Sequence, residues 1–198
     1  MPTPSISAMR RPSCGAFLMY VSSFDSDAVL RYDGKTGVFV DEFVVAGAGG
    51  LDGPDAGMVF GPDGDLYVPG FYNHAVGRYD GVTGEFKETF TPADGTLLAP
   101  RTLIFAGDEL WVTSERRSAV LRFDGRSGAY RGELVAARAG GLRGAAGMVR
   151  LADDSLAVVS IDADALLHFS RLGEPLAPLV VAAAGVLRGP THVLHLAE

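Results

Sequence analysis

The sequence lacks several features on which common protein classes depend. Its 198 residues include one cysteine, Cys14, which excludes an internal disulfide framework and a cysteine-based zinc cluster. No apolar run approaches the roughly 18 residues of a membrane-spanning helix. The short apolar stretch after Arg10 and Arg11 ends at Ser22, too early for an export signal. We therefore expect a cytoplasmic protein if the chain is complete, and a secreted one if such a signal has been trimmed.

Basic residues are also scarce. The chain has 17 Lys and Arg against 24 Asp and Glu, a formal net charge of −7. A field of this sign does not attract nucleic acid or an anionic membrane, so we expect neither as a partner.

Glycine is abundant, with 26 residues, and 47% of the chain is hydrophobic. This composition favours a packed core of short strands joined by tight turns over disorder or long helices.

Four copies of one segment follow one another along the chain. They read YVSSFDSDAVLRYD, YVPGFYNHAVGRYD, WVTSERRSAVLRFD and the weaker AVVSIDADALLHFS, and they end at Asp33, Asp80, Asp124 and Ser170. A second motif lies between the copies at 58–60, 103–105, 148–150 and 193–195. Its repeat distance is a constant 45 residues, and Pro54, Pro100, Ala145 or Pro190 comes shortly before it. This double periodicity indicates internal duplication.

Each repeat predicts four short strands, which in the second repeat cover 58–60, 66–68, 75–79 and 85–90. The sequence Gly-Pro-Asp-Gly at 61–64 is a turn signal, and Asp-Gly at the start of 80–84 is a hairpin signal. Four strands in about 45 residues are typical of a propeller blade. We therefore predict an all-β fold, a four-bladed β-propeller over residues 16–198 with an N-terminal extension at 1–15.

The ends of the chain predict how the ring closes. The first repeat begins at its second strand, while 190–196 resemble a first strand with no blade after it. We expect the C-terminal strand to complete the N-terminal blade, which would remove the free sheet edges. Three alternatives stay open: an edge strand at 6–9, closure between two copies as an eight-bladed dimer, or a truncated piece of a six-bladed parent. The chain is accordingly expected to be a monomer or a homodimer.

The turn and hairpin residues carry a family resemblance. FGPDGDLYV at 60–68, followed by the Val-x-Arg-Tyr-Asp-Gly-x-Thr-Gly hairpin, resembles the NHL-type repeat. Over about residues 16–198 the chain is most similar to bacterial propellers related to streptogramin lyase, and more distantly to the gluconolactonase and regucalcin group. The resemblance implies a propeller fold. The calcium-like site of the gluconolactonase group is not expected, because Asp52 replaces its Glu and Asn73 is the only asparagine.

Loops that lead into inner strands and loops that join the second and third strands share one face of a propeller, at the mouth of the central channel. The repeats diverge in these loops while their cores stay alike, which suits a binding site, although unconstrained drift of the loops would give the same pattern. The candidate ligand-binding residues on this face are Phe24, Asp55, Phe71, Tyr72, Asn73, His74, Glu115, Arg116 and Asp162. Phe24, Phe71 and Tyr72 would form an aromatic rim, or alternatively cap the core.

Two further residues are candidates for catalysis. The resemblance to streptogramin lyase implies a histidine base with a divalent metal, and His192 begins an inner strand at the channel mouth. Imidazole suits proton abstraction near neutral pH, and Arg101 at the matching position could stabilise an oxyanion. The alternative for His192 is a solvated side chain without a catalytic role. Asp25 with Asp27, and Asp162 with Asp164, are interpreted as turn-forming aspartates, because neither pair continues into a calcium loop.

The preferred functional hypothesis is a binding module for an unknown small molecule or protein, with no required cofactor and no metal site. One alternative is a metal-assisted lyase or lactonase with His192 as general base, for which a divalent metal is possible. The other is a minimal or truncated propeller without independent activity.

Overall fold

The computed structural model describes residues 17–181 and 186–194. The described residues form fourteen strands in four antiparallel sheets that follow one another along the chain. We call these sheets blades 1 to 4. The chain is therefore all-β, as predicted. The described residues include no helix long and apolar enough to cross a bilayer.

Blades 2 and 3 are four-stranded, and their strands pair in chain order. The strands of blade 2 are β4 (Val59–Phe60), β5 (Leu66–Gly70), β6 (Ala75–Tyr79) and β7 (Phe86–Thr89). Those of blade 3 are β8 (Pro100–Ala106), β9 (Glu109–Ser114), β10 (Ala119–Asp124) and β11 (Tyr130–Val135). The four strands predicted for the second repeat are all present within two residues of the expected bounds.

Blades 1 and 4 are three-stranded. Blade 1 comprises β1 (Leu18–Ser23), β2 (Ala28–Asp33) and β3 (Phe39–Val44), and blade 4 comprises β12 (Ala145–Arg150), β13 (Leu156–Ser160) and β14 (Ala165–Phe169). Short 3₁₀ turns lie at Phe24–Ser26, Ala48–Gly50, Ala139–Gly141 and Ile161–Ala163. Beyond β14, isolated bridges join Phe169 to Pro175 and Leu166 to Val180.

The hydrophobic core lies between neighbouring blades. One cluster joins Val29 and Phe43 of blade 1 to Val68 of blade 2. A second joins blade 2 to blade 3, and a third joins blade 3 to blade 4. Each alternating strand therefore buries its apolar side chains against the next sheet in the series, as face-to-face sheet packing requires.

The predicted Asp-Gly hairpins are formed in the first three blades. Oδ1 of Asp124 accepts hydrogen bonds from the backbone N–H of Arg126 (3.0 Å) and of Ser127 (2.8 Å). Asp33 and Asp80 make the same bonds in their own hairpins. These Asx turns explain why the hairpin aspartate recurs in the first three copies.

Neither end of the described chain forms the strand pairing that the predicted closure requires. In the described ranges β1 pairs with β2 and with no other strand, and 190–194 form no strand. The predicted pairing of the C-terminal strand with blade 1 is therefore not seen over 190–194. Residues 195 and 196, the extension at 1–15 and the possible edge strand at 6–9 lie outside the described residues.

Candidate functional site

An arginine held between two carboxylates occupies the predicted channel-mouth face. Arg101, at the start of β8, donates from Nη1 to Oδ2 of Asp55 at 2.7 Å and from Nε to Oε2 of Glu115. Asp55 leads into the inner strand of blade 2, and Glu115 follows β9. The three side chains are largely shielded from solvent, so these charge-assisted hydrogen bonds fix the guanidinium in place. The cluster also links blade 2 to blade 3.

Aromatic rings adjoin this cluster. The Arg101 guanidinium lies 4.8 Å from the centroid of the Phe71 ring, and the Arg116 guanidinium lies 5.5 Å from it. Phe71 contacts Tyr72 edge to face with centroids 5.0 Å apart, and Phe24 contacts Tyr72 at 5.4 Å. Phe71 is buried whereas Tyr72 is 52% exposed. Phe71 therefore caps the core, which is the alternative given for these rings, whereas Tyr72 faces solvent, as a residue of an aromatic rim would.

Burial sets the ionisation of Asp55. Desolvation raises the pKa of Asp55, and this effect exceeds the lowering by the Arg101 charge, by the Ala56 N–H and by the nearby charge of His192. A carboxyl group that resists ionisation inside a polar cluster is a common mark of a functional site, although structural ion pairs can produce it as well.

His192 reaches the same region from the C-terminal segment. Its charge is close enough to affect the pKa of Asp55, and its side chain is exposed. Of the two predicted catalytic residues, Arg101 is hydrogen-bonded to Asp55, whereas His192 influences Asp55 through its charge alone. Arg101 is, however, already engaged by two carboxylates. It is not free to stabilise an oxyanion unless one of these contacts breaks.

Two predicted ligand-binding residues are engaged in structural contacts. The Asn73 amide donates to the backbone oxygen of Gly50 at 2.7 Å. His74 Nδ1 lies 3.1 Å from the Ala99 nitrogen and 3.0 Å from the Phe71 oxygen. Because a backbone N–H can only donate, His74 Nδ1 accepts from Ala99.

The His74 contact belongs to a repeated clamp that the sequence analysis missed. One residue with positive φ in each blade ends the loop between the second and third strands of the repeat. The side chain of each of these four residues accepts a hydrogen bond from a backbone N–H 25 or 26 residues later. The pairs are Asp27 with Gly53, His74 with Ala99, Ser118 with Gly144, and Asp164 with Gly189. The sequence does contain a repeated pattern that marks these pairs. The first member of each pair precedes Ala-Val or Ala-Leu, and the second precedes Pro or Ala.

This clamp explains two of the singled-out aspartates. Asp27 and Asp164 end their 3₁₀ turns in the left-handed conformation, and their carboxylates accept from backbone N–H groups of a distant segment. Asp162 remains exposed at the tip of its 3₁₀ turn, where its backbone N–H donates to the Arg143 oxygen at 3.1 Å. It stands apart from the Arg101 cluster, on the loop of blade 4.

A divalent metal, which the lyase alternative requires, has no evident set of ligands. Residues 17–181 and 186–194 contain no group of three or more His, Cys, Asp or Glu side chains arranged to hold an ion. Asp55 and Glu115 could supply two oxygens, but both are paired with Arg101. The described residues therefore do not fit a metal at the channel mouth.

Comparison with known proteins supports the fold. No family model and no curated protein matches the chain. Among solved structures, a catalytically inactive virginiamycin B lyase from Staphylococcus aureus with quinupristin is 19% identical, with a TM-score of 0.66 over 96% of this chain and 61% of that one. A nidogen/laminin complex matches with 16% identity and a TM-score of 0.65, over 85% of this chain and 62% of that one. The computationally designed protein Ika8 matches with 15% identity and a TM-score of 0.57, over 91% and 50%.

These likenesses confirm the predicted resemblance to NHL-type and streptogramin-lyase-like propellers at the level of fold. At 15–19% identity they establish nothing about activity. The chain spans about three fifths of the length of the virginiamycin B lyase that it matches.

Proposed function

We propose that the chain is a binding module whose ligand sits on the channel-mouth face, over Tyr72 and beside the Arg101 cluster. One observation carries this proposal: a half-exposed aromatic ring adjoins a fixed array of charged hydrogen-bonding groups. An apolar surface with a few convergent polar groups is the usual composition of a small-molecule site. Such a surface suits an amphipathic ligand that bears a ring together with hydrogen-bonding groups.

The charged residues of this face indicate the net charge that a ligand should have. Asp55 and Glu115 are balanced in part by Arg101, and the exposed Arg116 adds a second positive charge nearby. With the charges nearly compensated, we expect a ligand of little net charge. Amides or hydroxyls on the ligand could pair with Arg116 while its ring packs against Tyr72. Quinupristin, held in the structure of the similar virginiamycin B lyase, is one available probe.

Protein-observed NMR would test the proposal. Phenol, benzamide and quinupristin would be titrated separately into the ¹⁵N-labelled chain. We expect the largest shifts at the amides of Tyr72, Arg101 and Glu115. The Tyr72→Ala variant should weaken binding of the ring-bearing probes about tenfold, the order of 1.4 kcal/mol expected for one well-packed aromatic contact.

Tyr130→Ala is the matched control. Tyr130 is also an exposed tyrosine, at 41%, but it lies on the outer strand β11. The Tyr130→Ala variant should bind every probe as the parent chain does. Shifts confined to the outer strands, or the absence of shifts with all three probes, would contradict the binding-module proposal and favour a propeller without independent activity.

The lyase or lactonase alternative is favoured by the effect of the His192 charge, which lowers the pKa of Asp55 and links the C-terminal segment to the Arg101 cluster. A carboxylate can orient an imidazole and stabilise its protonated form. If this function is right, the chain should convert quinupristin or a lactone, and His192→Ala should abolish the conversion. Conversion that survives in His192→Ala would exclude His192 as the base.

We also infer that the described chain supplies four blades, because four sheets follow one another with the same inter-blade contacts. The clamp between each loop and the next lead-in segment, from Asp27 with Gly53 to Asp164 with Gly189, supports this count.

A further inference from the structure

We propose that two copies of this chain close one ring head to tail, with residues 190–194 of each copy serving as the innermost strand of blade 1 in the other. The proposal depends on two surfaces at opposite ends of the described chain. One is the segment 190–194, which lies at the position of an inner strand, and the other is blade 1, in which no innermost strand is found among the described residues.

The C-terminal segment is already docked where a further inner strand would begin. Asp164 accepts from the Gly189 N–H at 2.7 Å, the contact that Asp27 makes with Gly53 at the start of blade 2. The Gly147 N–H donates to the Thr191 oxygen at 3.0 Å. A Cβ on Gly147 would lie 2.7 Å from the His192 Cα, so the two backbones touch.

The same close approach occurs between blades 2 and 3. The Leu103 N–H donates to the Gly57 oxygen at 3.1 Å, and Gly57 forms a parallel bridge with Thr102. Gly57, Thr102, Gly147 and His192 are successive repeat positions, each 45 residues apart. Residues 190–194 therefore stand in relation to blade 4 as β8 stands to blade 2.

Blade 1 lacks the contacts that such a strand would make. In the other three blades, the N–H of the first loop residue after the second strand donates to the oxygen of the lead-in residue: Phe71 to Gly53, Glu115 to Ala99, and Ile161 to Gly144. Phe24 is the matching donor in blade 1. Among the described residues its N–H makes no such bond with Gly189, the matching acceptor.

The exposure of apolar side chains also indicates that blade 1 lacks a neighbouring strand among the described residues. Val21 in β1 is 44% exposed, whereas the equivalent Val112 in β9 is fully buried. Leu194 in the C-terminal segment is 87% exposed. An apolar strand edge of this kind is a ready template for another strand.

A second copy fits these surfaces better than the tail of the same chain. Among the described residues of one chain neither surface is paired with the other, and no hydrogen bond joins residue 24 to residue 189. The chain also matches part of a longer propeller chain, over 96% of this chain and 61% of that one, and such a partial ring leaves room for a second copy. Two arcs related by a two-fold axis satisfy both junctions at once and leave no free end.

The repeat fixes the register to be tested. In blade 3, Leu103 lies opposite Val112, and the corresponding pair at the new junction is Val193 opposite Val21. We would replace Cys14 by serine in every variant, then mix Val21→Cys with ¹⁵N-labelled Val193→Cys under mild oxidation. We expect a disulfide-linked pair of one labelled and one unlabelled chain, identified by mass spectrometry as a peptide joining positions 21 and 193.

A mixture of Val21→Cys with Val82→Cys is the control, since Val82 is an exposed hairpin residue and should not cross-link. Light scattering of the parent chain gives an independent result that no substitution can disturb. We expect about twice the 20.8 kDa of one chain.

Two outcomes would overturn the proposal. A Val21→Cys/Val193→Cys double variant that forms only an intrachain disulfide would show closure within one chain. A single-chain mass at all concentrations, with no cross-link in folded variants as judged by circular dichroism, would show that neither surface accepts a second copy.

Discussion

Blades 1 and 3 have nearly the same repeat sequence but different surroundings. Both carry the AVLR strand and the Asp-Gly hairpin, and the hairpin hydrogen bonds match. Blade 3 is packed between two other sheets, whereas blade 1, over the part of the chain that the structure describes, packs against a sheet on one side only. The comparison shows that burial in this fold comes from the neighbouring blade. A strand with core-type residues stays exposed where that neighbour is missing.

The hairpin glycines should give the largest difference between the two blades. Gly128 in blade 3 has φ +69°, and a Cβ there would overlap the carbonyl oxygen of Phe90 in blade 2. Gly37 in blade 1 has φ +71°, but a Cβ there meets nothing within 4 Å. We expect Gly128→Ala to lower the free energy of unfolding by about 3 kcal/mol, from left-handed strain and overpacking together, and Gly37→Ala by about 1 kcal/mol from strain alone.

Urea denaturation of both glycine variants beside the parent chain would measure these losses. Equal losses would show that the inter-blade contact of Gly128 carries no energy, and that the backbone conformation accounts for the whole effect.

The second-strand valines should differ by a smaller amount. Val112→Ala removes two methyl groups from a fully buried site and should cost about 2 kcal/mol, because a cavity remains. Val21→Ala should cost less than about 0.5 kcal/mol at concentrations where the chain is a single copy. Thermal unfolding at low protein concentration would compare the two. A loss at Val21 as large as that at Val112 would mean that blade 1 is covered within one chain.

The clamp residues should give a third, smaller difference. Ser118 accepts from the Gly144 N–H at 3.1 Å between blades 3 and 4, where the contact is partly buried. Ser118→Ala should cost about 1 kcal/mol, because the backbone N–H loses its acceptor. Asp164→Ala breaks the equivalent clamp to the exposed Gly189, where water can replace the carboxylate, and should cost less. A native-state hydrogen-exchange measurement at Gly144 and Gly189 would report each loss directly.

Much of the fold could be predicted from the sequence because the repeat encodes local chemistry. Asp124 and Gly128 specify a hairpin through hydrogen bonds that span four residues, and the apolar alternation of β5 and β6 specifies which sides face a neighbouring sheet. Closure of the ring was harder to predict. It depends on the angle between successive sheets, and small packing differences summed over four blades set that angle.

The candidate site shows the same limit. The divergence of the mouth loops predicts that their residues share one face, and Asp55, Phe71, Arg101 and Glu115 do come together. Their pairing could not be predicted, because Asp55 and Arg101 are 46 residues apart and meet only through the packing of two blades. The bond of His74 to Ala99 could not be predicted either, since it depends on a loop conformation with positive φ.

The smallest effect we predict contrasts two carboxylates with opposite pKa shifts. Hydrogen bonds from the backbone of Thr83 and Val82, together with Lys87, lower the pKa of the accessible Asp80 to about 2. The stabilisation from ionised Asp80 should therefore be present above the ordinary pKa of 3.8 and be lost as the pH falls through about 2. Burial raises the pKa of Asp55, so its ionisation should remove stability as the pH rises through that raised value. A ¹³C NMR titration of the aspartate carboxyls would separate the two. Asp80→Asn should flatten only the acid limb of the stability curve, and an Asp80 carboxyl that titrates near 3.8 would show that the hairpin hydrogen bonds do not hold in solution.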